Sequence, residues 1–185
     1  MSLMMAGIVV FMAIHIVPTR VALREKLTRQ WGVLGYKGVF SVISLVGFVM
    51  LVIGKGRAEF VPVWTPPDVL LMLNKILMLP AMIFLAAAYV PNTFIKAKIK
   101  HPMLAGVKLW AVGHLLANGD LASIILFGSF LAYAVFDVIS AKKRQTAKVP
   151  THPSLAMTVL ALFAGGAAYA GLGIFHLQLF GVAIH

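Results

Sequence analysis

Histidine is the residue type in this chain best suited to chemistry inside an apolar environment. Two of the six histidines, His15 and His114, lie within long apolar runs, whereas the other four lie near the ends of such runs: His101, His152, His176 and His185. An ionisable group at membrane depth is costly and therefore indicates a function by default. Each buried imidazole is interpreted either as hydrogen-bonded to a neighbouring helix or as a metal or haem ligand, since haem iron needs only one or two axial imidazoles.

Helical geometry limits which histidines can share one metal ion. His101 and His114 are 13 residues apart, which on a continuous helix means about 220° around the axis and about 20 Å along it. They cannot bind the same ion, so a two-histidine site pairs one of them with another helix, and His15 is the buried candidate. His15 is expected nearer the cytoplasmic end of its helix and His114 nearer the outer end, which leaves the pairing of His15 with His101 open.

Other kinds of chemistry have weaker support in the sequence. A transporter or proton relay would use Lys75 and Lys108, with Asp137 or Asp120, but Lys108 could equally extend its charge toward an interface. Asp137 lies near a predicted helix end, where Lys142 or Lys143 could pair with it. The chain has no cysteine, which excludes disulfides, thiolate catalysis and iron–sulfur ligation. It also lacks the HExxH, phosphate-loop and GxSxG motifs.

Composition identifies the elements that must position these residues. Of the 185 residues, 61% are hydrophobic and 11% charged, against about 25% charged in soluble domains, and the mean hydropathy is +0.97. This predicts an all-α polytopic transmembrane bundle forming a single domain, residues 1–185. The net charge of +11 is attributed to membrane orientation and contact with anionic lipid, so no nucleic-acid partner is expected. The N-terminal apolar run is interpreted as a retained first helix, since no basic residue precedes it.

Six membrane spans are predicted, at roughly 2–20, 33–54, 69–91, 102–118, 121–140 and 154–176. Proline and polar segments separate them, including the turn Asn118-Gly119-Asp120, where Asp120 and Ser123 are expected to cap the fifth span. Three predicted loops, 20–37, 92–101 and 141–153, hold 12 of the 16 lysines and arginines and lie on one side if the spans alternate. The positive-inside rule then places both termini outside the cytoplasm, which in a bacterium means an inner-membrane protein with periplasmic ends.

Several motifs resemble those of the bacterial NnrU family. The longest is HPMLAGVKLWAVGHLLANGD, which begins at His101, and it is joined by WTPP at 64–67, LPAMIFLAAAYVP at 79–91 and the terminal HxxLFGV at 176–182. The resemblance covers nearly the whole chain. The family is named after genes tied to nitrite and nitric oxide reduction, an association without an assigned reaction.

The sequence is also distantly similar to the plant zeta-carotene isomerases, membrane haem b proteins that isomerise a cis double bond of a carotenoid. The similarity implies haem b, with His15 and His114 as the axial ligands, and it implies an isomerisation or redox step on an apolar substrate or a small gaseous ligand. His101, Lys108 and Asn118 are then pocket candidates, with Lys108 or an arginine expected to meet a haem propionate. The isomerases have Gly-Asn where this chain has Asn118-Gly119-Asp120, so the substrate chemistry could differ. The alternative is a non-catalytic factor that delivers haem or assembles a nitrogen-oxide reductase.

Overall fold

The structure, a computed structural model, describes residues 1–181, and these form eight α-helices joined by short connections. The helices are α1 (Ser2–Ile16), α2 (Val21–Gly56), α3 (Asp68–Tyr89), α4 (Phe94–Ile99), α5 (Pro102–Ala117), α6 (Leu121–Lys143), α7 (Leu155–Ile174) and α8 (His176–Phe180). The chain divides into a first unit, residues 1–60, and a second unit that begins at Val61. Each unit is described by itself, and the single domain stays a prediction.

Five of the described helices are long and apolar enough to cross a membrane, namely α2, α3, α6, α7 and the segment Ser2–Thr19 that contains α1. The remaining predicted span, 102–118, forms the apolar helix α5, which has only 16 residues. It measures about 24 Å, less than the roughly 30 Å of a hydrocarbon core. The all-α prediction is confirmed for the described residues, whereas the count of six spans and their orientation stay predictions.

In the first unit, α1 packs against α2 through glycines that bring the two backbones together. A Cβ atom at Gly7 would lie 2.5 Å from the backbone nitrogen of Leu51, and one at Gly47 would lie 2.8 Å from that of Phe11. A Cβ at Gly54 would overlap the backbone of Met4. Small residues allow such an approach between helices in lipid, where the hydrophobic effect does not drive them together.

This close approach makes the pair α1–α2 sensitive to side-chain size. We expect Gly54→Leu to lower the free energy of unfolding by about 1–3 kcal/mol, because the added side chain must push α1 away. Gly38→Leu is the matched control, since nothing lies within 4 Å of a Cβ at this other glycine of α2. The measurement is unfolding in detergent followed by circular dichroism. Equal stability of the two variants would contradict the packing described.

The segment 20–37 is not the loop that the charges indicated. Residues 21–37 belong to α2, which Arg20 precedes, and the helix is interrupted only at Gly32, where the backbone adopts φ +73° and ψ 167°. The loop prediction was wrong for residues 21–31 because charged side chains hid a helical pattern, in which Leu23, Leu27 and Trp31 recur every four residues. In the predicted loop 92–101, likewise, residues 94–99 form the short helix α4.

In the second unit, α3 packs against α5 and α7, and α5 packs against α6. The turn between α5 and α6 is held by the extended segment before α3. The carbonyl oxygen of Gly119 accepts hydrogen bonds from the backbone nitrogens of Val63 and Trp64, at 2.8 and 3.2 Å, and Leu121 donates to Val61 at 2.9 Å. The carboxylate of Asp120 accepts from the Ser123 nitrogen at 3.0 Å, which confirms the predicted cap of α6.

The other end of α6 carries an ion pair that the sequence misassigned. Asp137 accepts a hydrogen bond from Arg144 at 3.0 Å, and the Arg144 Nε donates to the Ser140 hydroxyl at 3.1 Å. Pairing of Asp137 with Lys142 or Lys143 was the wrong expectation. Residues seven apart lie on one face of a helix after two turns, whereas residues five or six apart point elsewhere.

Candidate functional site

His114 lies in the last turn of α5, half-buried, with its ring tied to the preceding turn. Its Nδ1 atom lies 2.9 Å from the carbonyl oxygen of Trp110. A carbonyl oxygen only accepts hydrogen bonds, so Nδ1 must carry the hydrogen, and Nε2 keeps the lone pair of the neutral ring. This hydrogen bond therefore sets both the tautomer and the direction of the ring.

Aromatic side chains from α5 and α6 surround the imidazole of His114. The ring centroid of buried Phe127 lies 4.4 Å away at 31°, and that of Trp110 lies 5.1 Å away at 50°. Phe127 and Phe130 both meet Trp110 edge-on, at 5.0 and 5.4 Å. Aromatic pairs with these separations stabilise their mutual positions beyond simple burial. His114 thus stands in an apolar, aromatic setting.

Two asparagines contact α5 beside His114, one at the His114 carbonyl and one at Gly113. Asn118 donates from its side-chain amide to the His114 carbonyl at 2.8 Å, and its backbone nitrogen bonds to the same oxygen at 2.9 Å. Asn74 of α3 approaches the neighbouring Gly113, where its Oδ1 atom would lie 2.7 Å from an added Cβ. That Oδ1 atom is buried and has no hydrogen-bond partner within residues 1–181. Helices α3, α5 and α6 together position this site.

His15, in the first unit, has an arrangement of the same kind. It lies in the last turn of α1, and its Nδ1 atom is 2.7 Å from the Phe11 carbonyl oxygen. The imidazole stacks on the Phe11 ring at 4.0 Å and 26°, and Phe40 of α2 meets it edge-on at 5.1 Å. Phe40 follows the break at Gly32 by eight residues, which is about 12 Å along α2. His15 is therefore level with the interior of that helix.

The two histidines thus share a local pattern, an aromatic residue four positions earlier whose carbonyl accepts from Nδ1. Histidines that bind metals through Nε2 usually donate Nδ1–H to a carbonyl or carboxylate in this way. The same bond also agrees in part with the simpler interpretation, in which each histidine is only hydrogen-bonded within the bundle. It gives one of the two ring nitrogens a partner without the help of another helix. The arrangement fits an axial haem ligand at either position. As far as the Nδ1 atom is concerned, it fits a plain structural role equally well.

The remaining predicted residues are distributed differently. His101 is the N-cap of α5, at the opposite end from His114, and the helix between them is continuous, so the argument against a shared metal ion stands. Lys108 is half-buried on α5, whereas Lys75 is exposed on α3. Of the pocket candidates, only Asn118 is shown in contact with His114. His176 begins α8, and His185 lies outside the described residues.

Some residues of the site escaped the sequence reasoning. The spacing aromatic-x-x-x-His, present as Phe11 to His15 and as Trp110 to His114, could have indicated the stacking. Phe127 and Asn74 carried no such signal, because they reach the site from other helices. Among residues 1–181 no group of three or more His, Asp or Glu side chains is arranged to hold a metal ion, a result that leaves a porphyrin with one or two axial imidazoles untouched.

One of three comparisons with known proteins identifies a match, and it covers nearly the whole chain. No curated protein and no solved structure matches it. The distant similarity to the zeta-carotene isomerases stays a prediction. The family model described as NnrU protein matches residues 3–184, nearly the full length. With its apolar helices and this match, the chain belongs to the NnrU protein family.

Proposed function

We propose that this protein binds haem b in the inner membrane of a bacterium, with His15 and His114 as the axial ligands. It would cross the membrane six times, α5 included, and both termini would be periplasmic. The reaction we propose is an isomerisation or redox step on an apolar substrate or a small gaseous ligand. When bound, haem would supply an iron atom at which such a molecule could coordinate only if one of the two histidines were displaced.

The observation that carries this proposal is the orientation of the His114 ring. Its Nδ1–H donates to the Trp110 carbonyl, which leaves Nε2 as the ligating nitrogen. His15 repeats the arrangement with the Phe11 carbonyl. At both positions the hydrogen on Nδ1 would leave the Nε2 atom to face a haem iron.

The protein's own residues have separate tasks in this proposal. Asn118 fastens the end of α5 through the His114 carbonyl and so limits movement of the ligand. Trp110 and Phe127 exclude water from the imidazole and offer flat apolar surfaces, which suit a porphyrin or an apolar substrate. Lys108, half-buried on the same helix, would neutralise a propionate.

The absorption spectrum of the protein purified in detergent tests the proposal. We expect a Soret band that shifts on reduction, or one that develops when haem b is added to colourless protein. A colourless preparation that takes up no added haem would refute haem binding. Transfer of the haem to apomyoglobin tests the alternative, a non-catalytic factor that delivers haem. Rapid transfer without turnover of any substrate would favour this alternative.

A further inference from the structure

The first eleven residues of α2 form a helix of their own, which we name the elbow helix, residues 21–31. Gly32 interrupts the helical backbone after it. The part of α2 beyond this break, residues 33–56, measures about 36 Å, which is enough to cross a hydrocarbon core of roughly 30 Å. The glycine contacts with α1 also lie in this later part, at Gly47 and Gly54. The elbow helix is therefore not needed to span the membrane.

The elbow helix has an apolar stripe that the protein leaves uncovered. Leu23, Leu27 and Trp31 follow one another at four-residue spacing, so they lie within about 40° of a common line. Leu23 is 41% exposed and Trp31 is 44% exposed, while Leu27 between them is half-buried. An amphipathic helix with an uncovered stripe of this kind is suited to the boundary between headgroups and acyl chains.

The charges of the elbow helix are arranged around that stripe. Arg24 and Lys26 flank Leu27 on opposite sides, at about 60° and about 100°. Arg29 lies on the far face and pairs with Glu25 at 3.9 Å, both side chains being largely exposed. Such an exposed ion pair contributes little to stability, but it places the single acidic residue of the segment away from the apolar stripe.

We propose that the elbow helix lies in the membrane interface and binds the headgroups of anionic phospholipids through Arg24 and Lys26. With the stripe directed into the bilayer, these two long side chains reach the phosphate level on either side of the helix. Trp31 sits at the end of the stripe, and tryptophan is enriched at membrane interfaces. Charge complementarity and the uncovered stripe thus select one partner, the anionic lipid of the leaflet at which the long part of α2 begins.

Gly32 allows the elbow helix to leave the axis of the following span. Its φ of +73° with ψ of 167° belongs to a region that essentially only glycine adopts. Nothing lies within 4 Å of a Cβ at this position, so the effect of Gly32→Ala would come from the backbone alone. We expect the alanine to favour a continuous helix and to lift the stripe out of the interface.

The first experiment measures which lipid gathers at the elbow helix. Because the chain has no native cysteine, Gln30→Cys in the full-length protein takes a single fluorescent donor. Nanodiscs then contain phosphatidylglycerol or phosphatidylcholine carrying an acceptor on the headgroup. We expect energy transfer to show enrichment of phosphatidylglycerol around the elbow helix. The apparent affinity for this lipid should fall by about fivefold for each base removed in Arg24→Gln/Lys26→Gln. The enrichment should also weaken as the salt concentration is raised.

Two control variants separate this site from general electrostatic attraction. Lys142→Gln/Lys143→Gln removes the same charge at the end of α6, and Arg29→Gln removes a base on the far face of the elbow helix. Both should leave the enrichment at Gln30→Cys within about twofold of the parent. An equal loss in either control, or equal recruitment of the two lipids by the parent, would overturn the proposal.

The second experiment locates the apolar stripe. Spin labels at Leu23→Cys and Glu25→Cys report exposure to oxygen, which concentrates in the bilayer, and to a water-soluble nickel complex. We expect the label at 23 to be accessible to oxygen and that at 25 to nickel, with the contrast reduced by Gly32→Ala. If the label at 23 is accessible mainly to nickel, or to neither reagent, the stripe does not face lipid and the proposal is wrong.

Discussion

We expect His114→Ala to abolish the haem absorption predicted for the parent protein and to lower the affinity for added haem by more than about 100-fold. Outer partners of a ligand typically account for 10–100-fold in metal affinity, so removal of a ligand itself should exceed that range. The α5 helix should persist, because alanine is the best helix former. The measurement is a titration of the detergent-purified protein with haem b, followed at the Soret band in both oxidation states.

Two further variants and one chemical rescue make this result interpretable. His15→Ala should also change the spectrum, whereas His152→Ala, at an exposed position between α6 and α7, should not. Added imidazole should restore part of the band in His114→Ala, since it can fill the space that the side chain leaves. If both alanine variants keep the spectrum of a haem with two histidine ligands, the assignment of His15 and His114 is wrong, and His101 or His176 must be tested.

Gly119→Ala should destabilise the second unit by about 3 kcal/mol or more. The added Cβ would overlap the Trp64 carbonyl oxygen, so the segment at 61–64 must move away from the turn. That movement strains the packing and weakens the three backbone hydrogen bonds that join Val61, Val63 and Trp64 to Gly119 and Leu121. The measurement is the unfolding transition in detergent, together with the rate of proteolysis within residues 57–67.

Gly128→Ala serves as the control for this substitution. Gly128 lies within α6, and nothing comes within 4 Å of a Cβ there, so alanine should raise stability slightly through its helix propensity. A Gly119→Ala protein as stable as the parent would show that the segment before α3 does not clamp the turn. The turn joins the helices that carry His114 and Phe127, so haem affinity should fall together with stability in Gly119→Ala but not in Gly128→Ala.

The parts of the fold that depend on hydropathy were predictable from sequence, and those that depend on contacts between helices were not. Apolar runs indicated the position of each long helix. Asp120 with Ser123 indicated the cap of α6. The elbow helix was missed because a charged segment beside a membrane span was interpreted as a loop from its charge alone. Its four-residue apolar spacing was the better guide.

The candidate site likewise contains residues that could be predicted from the sequence and residues that could not. His15 and His114 stood out because an imidazole within an apolar run has few inexpensive explanations. The Trp110 carbonyl as hydrogen-bond partner follows from helix geometry once the helix is known, since residues four apart lie on one face. Phe127 and Asn74 depend on how α5 packs against α6 and α3, which no local pattern in the sequence reveals.

The hydrogen bond from each histidine ring to a backbone carbonyl has a consequence for how the protein can vary. The acceptor belongs to the main chain, so exchanging the side chain of Phe11 or Trp110 alters the stacking but leaves the acceptor in place. Most single mutations in the preceding turn therefore leave the tautomer and the direction of each imidazole unchanged. Sequence drift can then reshape the walls around the histidines while the Nε2 atom of each ring keeps its direction.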